Sequence, residues 1–137
     1  MPRGFRLAWV LGAVVMGLAA CAPLREAASA PPVAEIEGML IRNELPYPVH
    51  DVLIEVPVTG GYAGCGMILQ RSQCSTTFPI AAYRREALTI RWTEHGEPQL
   101  LRDIVLDAPN GSAPAWLEVT IFASGQAGAR LVSVPGP

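Results

Sequence analysis

The dominant pattern in this chain is an alternation of apolar and polar residues with a period of two. In one segment Leu88, Ile90 and Trp92 alternate with Thr89 and Arg91, and several other segments repeat the pattern. A period of two is typical of strands that bury one face and expose the other. No segment after the first 20 residues shows the wider stripe of an amphipathic helix. The pattern therefore predicts half-buried antiparallel strands.

Short segments rich in glycine, proline and asparagine separate the alternating stretches and predict turns. We count seven or eight short strands. At this length the expected fold is all-β, an Ig-like or fibronectin-like antiparallel β-sandwich, with a small closed barrel as the main alternative. The predicted strands lie near residues 35–42, 49–58, 64–70, 74–78, 87–93, 99–107, 115–123 and 129–134.

Two local features qualify this pattern. Residues 83–86, Tyr-Arg-Arg-Glu, are compatible with one short helical turn. Pro57 falls inside a predicted strand, and proline cannot donate a ladder hydrogen bond. Its position therefore indicates a sheet edge or a bulge.

Residues 1–20 predict a signal peptide, expected as a helix. Arg3 and Arg6 precede an apolar run over 7–17 that is shorter than the ~20 residues of a membrane span. Residues 18–21, Leu-Ala-Ala-Cys, resemble the lipobox of bacterial lipoproteins. The resemblance implies cleavage before Cys21 and acylation of its sulfur. An ordinary signal peptide with an incidental cysteine, or an uncleaved anchor, is the alternative.

The same resemblance implies the location of the protein in the cell. Two or more acyl chains anchor a protein durably in a bilayer, so Cys21 would hold it at the membrane. Alanine rather than aspartate after the cysteine favours the outer membrane, facing the periplasm, by analogy with other lipoproteins. Residues 21–34 form an Ala/Pro-rich tether, and residues 35–137 form the folded domain. The expected partners are the membrane and other envelope proteins.

A second resemblance concerns the start of the folded domain. Residues 37–43 and 49–56 combine a glycine, alternating aliphatic residues, an asparagine at the turn and a following strand with an aliphatic at every second position. This resembles the opening hairpin of FxLYD-type Ig-like domains, although the later signature that names that family is missing here. The resemblance implies an Ig-like sandwich. More loosely, the chain resembles small lipoproteins of Gram-negative bacteria, which supply no activity to carry over.

Composition excludes several kinds of chemistry. The formal net charge is −2 and every basic side chain is arginine. Without lysine there is no Walker-type phosphate loop and no Schiff base with pyridoxal phosphate or a carbonyl substrate. The acidic balance lacks the basic footprint of a nucleic-acid-binding protein. We therefore expect no nucleotide, no nucleic acid and no cofactor.

Cys65 and Cys74 remain once Cys21 carries lipid. An even pair in an exported domain predicts a disulfide, because that compartment is oxidising. The bridge would close a small loop and join neighbouring strands or pin their hairpin. The alternative is a periplasmic metal- or redox-handling protein that uses both cysteines with His50 or His95. The cysteine spacing is wider than that of ordinary zinc sites, so no metal ligand is assigned.

No catalytic residue is assigned. The serines lack a nucleophile-elbow motif. His50 and Asp51 are adjacent on a predicted strand and therefore point to opposite faces. His95 lies in a predicted turn, where a solvated histidine is expected. Four glutamates are interpreted as surface acids, namely Glu35, Glu37, Glu94 and Glu97.

The aromatic residues give the best hint of a binding surface. Trp92 continues the apolar face of its strand and is expected in the core. Trp116 lies on the polar side of its strand, where it would cap the sheet edge or contact a partner. Tyr47 and Tyr62 are predicted in turns and would add to the same surface. The sequence thus predicts a non-catalytic binding, accessory or structural module.

Overall fold

The alternating segments form nine β-strands in the part of the chain that the computed structural model describes, residues 34–78, 82–107 and 114–134. The strands are β1 (Ala34–Asn43), β2 (Val49–Val56), β3 (Gly61–Ile68), β4 (Gln73–Thr76), β5 (Ala82–Tyr83), β6 (Leu88–Glu94), β7 (Glu97–Ile104), β8 (Ala115–Ala123) and β9 (Gln126–Ser133).

The strands make two sheets. One has the order β4-β1-β8-β9, with the short β5 paired to the start of β1, and the other has the order β3-β2-β6-β7. The predicted all-β sandwich is confirmed. One detail differs from the expected antiparallel pairing, because β1 and β8 run parallel in the middle of their sheet. A parallel pair requires a long crossover, and here the whole second sheet lies between the two strands in the chain.

The core lies between the sheets and uses every second residue of the central strands. Along β8 the buried side chains are Leu117, Val119 and Ile121, and along β6 they include Ile90 and Trp92. Each such side chain contributes roughly 1.5–3 kcal/mol by leaving water. The expectation that Trp92 is a core residue is confirmed, since it is 1% exposed.

Residues 83–86 do not form the helical turn that the sequence allowed. Tyr83 belongs to β5 and is fully buried. Its hydroxyl accepts a hydrogen bond from the Leu106 amide at 3.3 Å and donates one to the Glu86 carbonyl. Burial raises the pKa of Tyr83, and the nearby Glu86 carboxylate adds to the rise. Pairing with β1 and this anchored hydroxyl outweigh the local preference of a charged tripeptide for a helical turn.

The irregularity predicted at Pro57 lies elsewhere in the same strand. β2 ends at Val56, so Pro57 belongs to the following turn rather than to the sheet. The ladder between β2 and β6 is interrupted between His50 and Leu53, where Asp51 has a φ of 50°. A bulge of this kind bends the strand and redirects the side chains beside it.

The predicted signal peptide (1–20) and the lipidated Cys21 lie outside the described residues, as does the predicted tether except for its last residue. Ala34, expected at the end of the tether, is the first residue of β1, pairs with Tyr83 and is buried. Among the residues described, no helix is long and apolar enough to cross a membrane.

Candidate binding groove

The predicted disulfide between Cys65 and Cys74 is present, and the two strands that it joins belong to different sheets. Cys65 lies on β3 and Cys74 on β4, with their Cα atoms 6.6 Å apart. These strands follow each other in the chain, yet β3 is the outer strand of one sheet and β4 the outer strand of the other. The bridge therefore does not pin a hairpin. It links the two sheets along one open side of the sandwich.

A groove of about 700 Å³ runs across the outer face of the β3-β2-β6-β7 sheet. Leu53 of β2 is half-buried in it, while Tyr62 of β3 and Leu100 of β7 are 67% and 47% exposed. Pro98 also lines it. Arg91 of β6 lies between Leu53 and Leu100. Exposed apolar side chains grouped on one face of a small domain are typical of interaction surfaces.

A glycine shapes this surface. Gly64 of β3 pairs with Leu53, and a Cβ atom on Gly64 would lie 2.0 Å from the Val52 carbonyl oxygen. The backbones of β2 and β3 therefore approach too closely for any side chain at this position. Because Gly64 and the nearby Gly66 carry no side chains, nothing projects from the outer face of β3 at these positions, and Leu53 stays accessible.

Charged groups accompany the apolar lining. Arg91 of β6 contributes to the groove, and its guanidinium forms an ion pair with Glu55 of β2 at 3.2 Å. Asp51, placed by the bulge in β2, also lines the groove. The surface is thus apolar with one acidic group and one arginine that is already paired, which suits a partner with both apolar and polar groups better than a highly charged one.

The three aromatic residues proposed as partner contacts do not share a surface. Tyr62 lies in the groove, within β3 rather than in a turn. Trp116 lies on the outer face of the other sheet, where its indole covers Gly38 of the neighbouring β1, with atoms 3.2 Å from the place of an added Cβ. Trp116 therefore covers the middle of its sheet rather than its edge. Tyr47 lies in the loop between β1 and β2.

Tyr47 belongs to a separate cluster around Glu94, which is 2% exposed. The Glu94 carboxylate accepts four hydrogen bonds, from the Trp92 indole N–H at 2.7 Å, the Ser124 hydroxyl at 2.9 Å, the Gly125 amide at 3.0 Å and the Tyr47 hydroxyl at 3.1 Å. These donors come from three different parts of the chain. Glu94 thereby ties β6 to the β8–β9 turn and to the β1–β2 loop.

Two opposing effects act on the Glu94 carboxyl. Burial by itself raises its pKa, because it disfavours the charged form. The hydrogen bonds from Gly125, Trp92, Ser124 and Tyr47 favour the carboxylate, and together they lower the pKa below its ordinary value of 4.5. The interpretation of Glu94 as a surface acid is therefore wrong. Its position two residues after Trp92, on the buried face of β6, is the signal that sequence reasoning could have used.

Asn43 is a second buried polar residue that the sequence reading treated only as a turn signal. Its side-chain amide donates to the carbonyls of Tyr47, Ile68 and Leu69, and its oxygen accepts from the Leu45 amide. Asn43 thus fixes the β1–β2 loop against the end of β3. Both the amide and the oxygen of Asn43 are bonded to backbone groups of these loops, so Asn43 holds the loops in place.

The histidines and cysteines are not gathered into one centre. His50 lies on β2 opposite Met67, whereas His95 lies in the β6–β7 turn and packs against Tyr47, with ring centroids 4.1 Å apart and ring planes tilted by 45°. The two cysteine sulfurs are bonded to each other and supply no thiolate in this state. Across the described ranges, no group of three or more His, Cys, Asp or Glu residues is arranged to hold a metal ion.

No family model, curated protein or solved structure matches this chain. Of the residues that sequence reasoning proposed as contacts, only Tyr62 lies in the groove. Leu53 and Leu100 were missed, because a strand pattern shows that a residue faces outward but does not show which outward residues are neighbours on adjacent strands.

Proposed function

We propose that this protein is a lipid-anchored module of the bacterial cell envelope. Cys21 holds it at the membrane, most simply the outer membrane on its periplasmic side, and the β-sandwich serves a non-catalytic role by binding another envelope component. The observation that carries the binding role is the groove formed by Leu53, Tyr62 and Leu100 over Gly64. Tyrosine is among the residues enriched at interaction hot spots, and Tyr62 is 67% exposed in this groove.

Export is supported independently of the groove. The Cys65–Cys74 disulfide suits an oxidising compartment. The charged, apolar and small-residue order of the first 21 residues suits a lipoprotein signal. The two features lie in separate parts of the chain and point to the same location.

The anchor is tested by fractionating cells that express the full chain with Cys21→Ala. We expect the protein to leave the membrane fraction, because the acylated sulfur is lost. The matched control is Cys65→Ser, which removes a different cysteine and should leave the protein in the membrane fraction. Mass spectrometry of the native protein should show an acylated N-terminal Cys21. An unmodified peptide spanning Cys21 would contradict the proposal.

The groove is tested by site-specific photo-crosslinking in intact cells. A photoreactive side chain at Leu100 should give a discrete covalent adduct with an envelope component. The control position is Val58, which is 79% exposed but lies outside the groove. Adducts of equal yield at both positions would show nonspecific contact and would count against the groove as the binding surface.

A thiol titration separates this proposal from a metal- or redox-handling role. The purified native protein should show no free thiol at Cys65 and Cys74 until a reductant is added. Two free thiols that bound zinc protects from the reagent would instead favour the metal-handling alternative, because metal binding requires thiolates.

A further inference from the structure

The outer strand β9 leaves a row of backbone groups without a partner in the described part of the chain. β9 pairs with β8 on one side, and no described strand pairs with its other side. The Val134 amide donates to the Pro114 carbonyl at 3.2 Å, which fixes the phase of the ladder. Since residues in an antiparallel ladder face the partner alternately, those facing away from β8 can be identified from the register. They are Ala127, Ala129, Leu131 and Ser133.

The other outer strands carry features that block such pairing. On β7, the two-residue turn at His95 and Gly96 places the backbone of Pro98 at the free edge, where its missing N–H removes a donor. Farther along β7, Asp103 has a φ of 57° at a register shift. On the opposite side of the sandwich, β4 has only four residues and is joined to β3 by the disulfide. Edges blunted in these ways resist pairing.

β9 has none of these features. Its sequence over residues 126–133, Gln-Ala-Gly-Ala-Arg-Leu-Val-Ser, lacks proline, and the register shift of its hairpin lies on β8 near the turn. Arg130 supplies its one charge and is already bound to Glu118 of β8 at 2.7 Å. A long edge without proline and with little net charge is a template for a further strand.

We propose that β9 pairs with β9 of a second copy of this chain, antiparallel and about a twofold axis. In two pairing registers, the residues whose backbone groups face away from β8 lie opposite one another in the two copies over nearly the whole strand. One places Arg130 opposite Arg130 of the second copy, which repulsion disfavours. The other is centred on Ala129 and places Arg130 opposite Gly128 of the second copy, which leaves room for the guanidinium. The second register joins the two β4-β1-β8-β9 sheets into one continuous sheet and closes the assembly as a dimer.

A second copy is the partner that best fits this edge. Edge pairing requires a partner strand with a free edge and little charge, and β9 itself meets both conditions among the described strands. The inference uses only β9 and its ladder, so it does not depend on the groove or on the lipid anchor.

The test measures the oligomeric state of the full-length protein, extracted in detergent, as a function of concentration. Ala129→Pro removes an outward-facing N–H without removing a bond to β8, and at the twofold centre it deletes two intermolecular hydrogen bonds. We expect the dimer dissociation constant to rise at least about tenfold. Ala129→Ser keeps the N–H and is the matched control. Equal dimerisation of both variants, or a monomer at every concentration, would overturn the proposal.

Amide hydrogen exchange supplies a readout that is independent of size. In the dimer the amides of Ala127, Ala129 and Leu131 should become protected as concentration rises. The amides of Gly128 and Arg130, which face β8, should be protected at all concentrations. Protection of the outward amides in samples that are monomeric by size would mean that another segment of the same chain covers β9, which would also overturn the proposal.

Discussion

The two sides of this sandwich are held together by different chemistry. On one side, the outer strands β3 and β4 are joined by the Cys65–Cys74 disulfide. On the other side, β7 and β9 have no covalent link, and the buried Glu94 carboxylate ties β6 to the β8–β9 turn by hydrogen bonds. The covalent link forms or breaks with the redox state of its surroundings. The strength of the carboxylate link depends on pH and on the groups that donate hydrogen bonds to Glu94.

The comparison also explains where the free edge lies. The disulfide holds β4 beside β3, and the two outer strands there cover each other. The Glu94 cluster acts at the loop end of the other side, and none of the described strands pairs with the free edge of β9. A further strand could therefore pair more readily with β9 than with the short β4.

The largest expected effect comes from removing the carboxylate. Glu94→Ala leaves the Trp92 indole N–H and the Gly125 amide without acceptors in a buried site. We expect the free energy of unfolding to fall by about 3–4 kcal/mol. Urea denaturation followed by tryptophan fluorescence measures it. Glu97→Ala, across the hairpin and exposed, is the control and should change stability by less than about 0.5 kcal/mol. A Glu94 variant as stable as the Glu97 variant would refute the role of this cluster.

The second prediction concerns the backbone contact on the disulfide side. Gly64→Ala would place a Cβ atom 2.0 Å from the Val52 carbonyl, and both strands would have to separate. We expect a loss of about 3 kcal/mol and weaker binding in the groove. Gly66→Ala on the same strand meets open space and should be tolerated. An equal loss of stability in both variants would mean that the glycines act through strand propensity and not through the close contact with the Val52 carbonyl.

The strands themselves could be read from the sequence with good accuracy, and the reasons are physical. Each sheet has one buried face, so the apolar residues of β6 and β8 must alternate, and this alternation shows directly in the order of residues. The disulfide also followed from the even pair of cysteines and the predicted export alone. These features are local, or depend only on residue counts.

The arrangement of the strands could not be read in the same way. The parallel pairing of β1 with β8, the position of Cys65 and Cys74 on different sheets, and the groove around Leu53 all depend on which strands are neighbours. Alternation carries no information about neighbours. Glu94 was misread because acids are rarely buried, and only the donors brought by distant loops make its burial favourable.

The third prediction removes the covalent link. The double variant Cys65→Ser, Cys74→Ser should lose about 2–3 kcal/mol, the value that the chain-entropy model gives for a loop of this size. Thermal unfolding under nonreducing conditions measures the loss, and the reduced wild-type protein should show the same destabilisation. Because the disulfide and Glu94 lie on opposite sides, their effects should add within about 0.5 kcal/mol. A clear departure from additivity would show that the two sides are not independent.

The smallest expected effect is the pH dependence that Glu94 contributes. Its pKa is lowered by folding, so the unfolded chain binds a proton at Glu94 more readily than the folded protein does. The stability it contributes is therefore complete above its ordinary pKa of 4.5 and is lost as pH falls through the lower pKa of the folded state. Unfolding free energies between pH 7 and about pH 3 should fall more steeply in wild type than in Glu94→Gln, which keeps the shape of the side chain but does not titrate. The Cys65→Ser, Cys74→Ser variant should keep the wild-type slope, because its lost link does not titrate in this range. Parallel curves for wild type and Glu94→Gln would mean that the carboxylate does not gain stability from its charge.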